Sequence, residues 1–193
     1  MTKKGFTLIE LLVVIAILAI LMSVVVVTIN PAEMMKKSRD SKRISDLDAL
    51  RTAINLYLSE DLSLTSNGMT ATYAYISVPI ATAGTCGTFG GRTSYCATTA
   101  NYQKVDGSGW IKLNFNSLTI KSPISLLPVD PTNSTSSGFF YAFGISSDLS
   151  QFELDDNMES NYYKNGGPGD VESKDGGNNV NIYEIGSSLT IFN

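Results

Sequence analysis

The chain has 193 residues, 43% of them apolar and 17% charged, and a formal net charge of −4. That length suits one domain, or one domain plus an appendage, with a charge fraction low for a soluble domain. The absence of His removes the commonest general base and metal ligand, two cysteines alone cannot build a zinc cage, and the acidic balance argues against a strongly basic nucleic-acid binder.

From Phe6 to Ile29 runs FTLIELLVVIAILAILMSVVVVTI, 24 residues with one charge, Glu10. As a helix it would reach roughly 36 Å at about 1.5 Å per residue, enough to cross a hydrocarbon core of about 30 Å. Apolar residues cover every face, so the helix is either buried all round or sits in lipid. A secretory signal fits poorly, because its apolar core of about 7–15 residues should end in small residues. Here Val24–Val27 stands in that place. Glu10 is the anomaly, since a carboxylate in a lipid core is costly unless something partners it. Two readings stand on composition: a partner arrives, or the side chain snorkels to water.

The stretch KKGFTLIELLVVIAILAIL, with Gly5, Phe6 and Glu10 at the fifth place after the glycine, resembles the class III signal of type IV prepilins and pseudopilins. The resemblance implies that a membrane aspartyl peptidase, the prepilin peptidase, cuts after Gly5 and methylates the new N-terminal amine of Phe6. Lys3 and Lys4 would hold the leader in the cytoplasm, and Glu10 would be the assembly carboxylate. A small Gly5 lets a protease approach the backbone closely. In assembly, Glu10 of one subunit would meet the Phe6 amine of its neighbour, so two charges costly in lipid neutralise one another and select axial register. The implied organisation is a leader (1–5), a transmembrane and assembly half-helix (6–29), an amphipathic half-helix (30–60) and a globular β-sheet domain (61–193). Lys36, Lys37, Arg39, Lys42 and Arg43 point the other way, because a positive-inside count would keep the region after the span in the cytoplasm.

Pro31 should end or kink the first helix near Ile29. From Glu33 to Glu60 a helical pattern resumes, with Ile44, Leu47, Leu50, Ile54, Tyr57 and Leu58 at three- and four-residue steps. Beyond Leu62 the composition turns to Ser, Thr, Gly, Asn and Tyr. Strand candidates are Thr70–Ile80, Gly109–Phe115, Phe139–Ile145, Gln151–Leu154, Asn181–Ile185 and Ser188–Phe192. In GWIKLNF the alternation of Ile111, Leu113 and Phe115 with Lys112 and Asn114 predicts one buried and one wet face. One long helix followed by strands predicts an α+β fold with an antiparallel sheet, as in the type IV pilin fold. The Gly-rich segment 165–179 reads as an exposed, mobile loop.

Cys86 and Cys96 lie ten residues apart in a Gly/Thr-rich stretch. In an exported domain such a pair reads as a disulfide, and in the cytoplasm as two free thiols. LLPVDPTN (126–133) reads as a rigid turn and resembles the P-x-D-P turn of major pseudopilins and related pilins. Those pseudopilins brace a C-terminal loop with calcium, which the resemblance transfers here as a possible structural cofactor. Asp155, Asp156, Asp170 and Asp175, with Asp148, Glu159 and Glu172 nearby, offer the hard oxygen donors calcium takes. Acidic loops are also commonly just solvated, and the EF-hand spacing is absent.

The leading functional reading is a structural subunit that polymerises with itself and other pilins into a type IV pilus-like fibre. Its implied partners are the prepilin peptidase, an inner-membrane assembly platform and, before assembly, the membrane. It would span the cytoplasmic membrane once, N-terminus inside, and end in an extracellular or periplasmic fibre. A pseudopilin of a type II secretion system shares every feature named so far. A membrane-anchored enzyme is disfavoured by the missing His and the lack of a phosphate-binding Gly loop. A displayed binding module would use Tyr73, Tyr75, Tyr95, Tyr102 and Trp110 as stacking surfaces, with nucleic acid a partner only through a minor-pilin role.

Overall fold

The computed structural model describes residues 5–60 and 62–192. Helix α1 spans Leu8–Ile29 and helix α2 spans Pro31–Ser59. Asn30 joins them in the left-handed conformation, φ 45° and ψ 77°, and its side chain accepts the Glu33 amide at 3.3 Å. Pro31 opens α2, a position where its missing donor would have been unpaired anyway. The predicted break is therefore present, and α2 starts two residues before the expected Glu33.

Six strands follow: β1 (Tyr73–Ile80), β2 (Gly84–Phe89), β3 (Arg92–Thr98), β4 (Ala142–Ile145), β5 (Phe152–Asp156) and β6 (Tyr183–Gly186). They form one sheet in the order β2-β3-β1-β4-β5-β6. β1 and β3 run parallel, and every other neighbouring pair is antiparallel. The arrangement is α+β, consistent with the pilin fold. β2 and β3 form a hairpin closed by Gly90 and Gly91, whose φ values of 52° and 72° are the ones a two-residue type I′ turn demands.

The apolar stripe of α2, namely Leu47, Leu50, Ala53, Ile54 and Tyr57, packs on the sheet face carrying Tyr75, Phe143, Phe152, Leu154 and Ile185. Trp110, Ile111, Leu113 and Phe115 complete this core from a long irregular connection between β3 and β4. The opposite sheet face, with Ala74, Ile76, Cys96 and Ala142, is covered by Phe140 and Phe192. Phe192 packs edge-on against Phe89 at 5.3 Å between ring centroids. The close approach requires glycine at Gly144, where a Cβ would stand 2.5 Å from the Phe192 ring.

Four sequence expectations need correction. Gly109–Phe115 is not a strand: its apolar side chains are buried, but its backbone bonds to loop carbonyls, with Trp110 N donating to Tyr102 O and Phe115 N to Val105 O. Ser188–Phe192 is a strap across the sheet and not a strand. The Gly/Thr-rich region around the cysteines, assigned no strand, is the β2–β3 hairpin. Segment 165–179 is not uniformly exposed. Asp170 accepts the amides of Gly166 and Ser173, Glu172 accepts those of Met158 and Asn165, and both acids are buried.

Candidate functional site: the N-terminal segment and its anchorage

Gly5, Phe6 and Thr7 precede the helix in extended, exposed backbone, and Phe6 is 79% exposed. A Cβ on Gly5 would touch nothing within 4 Å, so nothing in this chain's own packing demands glycine there. Lys3 and Lys4 of the expected leader lie outside the described residues.

Thr7 caps α1, and with Glu10 it makes a reciprocal capping box. The Thr7 amide and hydroxyl donate to Glu10 Oε2 at 2.8 and 2.7 Å, and the Glu10 amide donates to Thr7 Oγ1 at 3.3 Å. This corrects the picture of an isolated carboxylate: among the described residues Glu10 has neutral donors, though no cation. Thr7 was missed in the sequence, where T-x-x-E before an apolar run already carried the signal. From Leu8 to Val25 the helix has a mean hydropathy of 3.1 and none of it is buried in the chain. It is long and apolar enough to span a bilayer, and its surface is left for lipid or for other subunits.

The other end of the N-terminal unit is locked to the globular domain by ion pairs that the sequence reading did not identify. Arg43 of α2 is fully buried and pairs with Asp130 at 2.5 Å, Asp40 at 2.7 Å and Asp156 at 3.2 Å. Asp130 comes from the LLPVDPTN turn, where it also accepts the amides of Thr132 and Asn133. Burial works against the Arg43 charge, but the Asp130 hydrogen bond and the Asp156 carboxylate more than offset it and raise its pKa. Burial, with Asp130 beside it, pushes the Asp156 carboxyl well above the usual carboxylate range despite Arg43. Arg39 grips Glu159 at 2.5 Å and holds that carboxyl below its ordinary value.

The cysteines do meet: Cys86 on β2 and Cys96 on β3 form a disulfide. The four acids expected as calcium donors are not brought together. Asp156 belongs to the Arg43 network, and Asp170 and Asp175 accept backbone amides in the C-terminal loop. Asp155 stands instead beside Glu153 and Glu184, neither of which was singled out from sequence. Tyr75 and Trp110 are buried, and Tyr73 and Tyr95 pack edge-on at 5.8 Å, so these rings serve the sheet and its core.

Residues 1–26 match the family model of the prokaryotic N-terminal methylation motif. This is the class III signal of type IV pilins and pseudopilins. No curated protein and no solved structure matches the chain significantly. The motif supports a pilin-like or pseudopilin chain that prepilin peptidase processes. It also implies assembly with other pilins, a membrane-anchored N-terminus and a structural rather than an enzymatic role.

Proposed function

We propose that this chain is a subunit of a type IV pilus-like fibre serving adhesion, motility or DNA uptake. Prepilin peptidase removes residues 1–5 and methylates Phe6, and α1 moves from the membrane into the core of a helical polymer. The carrying observation is the methylation motif on a helix with no burial in its own chain, joined to a folded, disulfide-bonded domain. Glu10 exchanges its Thr7 donors for the Phe6 amine of a neighbouring subunit, which supplies a cation where the described residues of its own chain offer none.

The N-terminus faces the cytoplasm and the sheet domain the exterior. The leader motif supports this orientation, while the basic residues after the span count the other way during insertion and are mostly occupied once the chain has folded. Lys37 lies over the Tyr162 ring at 4.0 Å, Arg39 and Arg43 pair with acids, and Lys42 pairs with Asp46. Intact-mass spectrometry of sheared surface fibres tests the reading. The expected mass lacks MTKKG and carries one added methyl group, whereas fibres whose subunits retain Met1 would sink it. The Asp130 turn favours a second reading, a pseudopilin of a type II secretion system. Abundant subunit in sheared surface fractions separates the pilus from that alternative.

A further inference from the structure

Alternation along β5 sends Phe152 and Leu154 toward α2 and puts Glu153 and Asp155 on the opposite face of the sheet. Glu184 of β6 lies directly across from Asp155 in register. The three residues are 0%, 1% and 2% exposed, in the order Glu153, Asp155, Glu184. One oxygen from each lies within 4.8 Å of the other two. Three carboxylates so close and so dry repel one another and have lost their water, an arrangement that persists only with compensation.

Part of the group is already satisfied. Glu153 Oε2 accepts the amides of Ile191 at 2.5 Å and Phe192 at 3.1 Å, and Glu184 Oε2 accepts that of Asn179 at 3.0 Å. Glu153 Oε1, Asp155 Oδ1 and Glu184 Oε1 are buried with no hydrogen-bond partner. Among the described residues no ion pair reaches any of the three acids. Beside them lies a cavity of about 30 Å³, bounded by Asp155, Glu184, Gly90, Asn178, Asn179 and Phe192. That is room for one ion or one water. A single water has two hydrogens for three orphaned acceptors and brings no charge.

We propose that Glu153, Asp155 and Glu184 hold one hard divalent cation of calcium's size. Such ions take oxygen donors alone and tolerate irregular geometry, and nearby amide carbonyls can complete the shell. The ion would clip together β5, β6, the loop carrying Asn179 and the strap carrying Ile191 and Phe192. Of the acids expected from the sequence, this set shares only Asp155. The site lies wholly in the globular domain, so its test is independent of processing and fibre assembly.

The test is calcium binding to the detergent-solubilised full chain at neutral pH, read by titration calorimetry and by the thermal midpoint with calcium or chelator. One calcium per chain is expected, with a dissociation constant of about 0.1–1 mM, as in extracellular modules. Asp155→Asn and Glu184→Gln should each weaken binding at least tenfold and abolish the midpoint shift, while Asp170→Asn, outside the cluster, leaves both intact. An unreduced disulfide and a native near-ultraviolet spectrum confirm that each variant is folded, and having two variants guards against one failing. Absence of binding to the wild-type chain at about 10 mM calcium would overturn the proposal and leave shared protons as the compensation. Wild-type affinity in both cluster variants, or loss only in Asp170→Asn, would overturn the ligand assignment.

Discussion

Replacing Arg43 by Met removes the cation that pairs with Asp40, Asp130 and Asp156 at 2.5–3.2 Å, all with fully buried side chains. At an effective dielectric near 20, each unit-charge contact at about 3 Å is worth about 5 kcal/mol before desolvation offsets most of it. Met matches much of the side-chain volume, so the net loss is set by the uncompensated acids, about 3–5 kcal/mol. That is a large share of a typical domain's stability of about 5–15 kcal/mol. Urea unfolding of the solubilised chain, followed through the sole and fully buried Trp110, measures it. The pH dependence has a definite sign. Asp156 is already pushed up by burial and Asp130, and loses the larger of its opposing influences when Arg43 goes, keeping only the Asn157 amide. A carboxyl raised in the folded state binds protons there that the unfolded chain releases, so the variant gains stability as the pH falls. The deficit should therefore be smaller at about pH 5 than at about pH 8. A loss under about 1 kcal/mol, or a deficit that grows on acidification, would refute the reasoning.

Glu10→Val should leave insertion, cleavage and the globular domain intact while fibres become absent or disordered, and should be partly rescued by co-expressed wild type; normal fibre numbers by electron microscopy would reject the pairing. Native protein alkylated without reduction should leave Cys86 and Cys96 unlabelled, and replacing both with Ser should cost about 2–3 kcal/mol in urea unfolding. Gly5→Val should block removal of the leader without changing thermal stability, because a Cβ there meets none of the described residues; a destabilised variant would show that the glycine serves the fold. Gly144→Val should lower the thermal midpoint by prising Phe192 off the sheet, and an unchanged midpoint would mean that the strap does not contribute.

The two helices, the break between them and four of the strands were legible in the sequence because periodicity and Pro31 report local geometry. The N-terminal residues were legible for a different reason: Gly5, Phe6 and Glu10 lie within the methylation motif matched over residues 1–26, and such a motif is defined by linear spacing. GWIKLNF misled because any extended segment that buries alternate side chains shows the strand pattern, whether or not another strand lies beside it. The β2–β3 hairpin was hidden by its composition, yet Gly90–Gly91 between two Thr-bearing runs is a turn signal. Arg43 stands 87 residues from Asp130, and Glu153 stands 31 residues from Glu184. No local pattern announces such partners, since topology alone brings them together.

The disulfide has a bearing on how copies of this domain meet. β2 is an outer strand, short, rich in glycine and irregular in register between Thr85 and Thr88. An exposed outer strand is ordinarily a template on which another chain can add its own strand. With Cys86 tied to Cys96 on the neighbouring strand, β2 can neither peel away nor flatten into a regular donor row. At the far side β6 offers only four residues. Crowded side by side, these domains would present poor edges for sheet-to-sheet joining, in keeping with the proposed contact between copies through the exposed N-terminal helix.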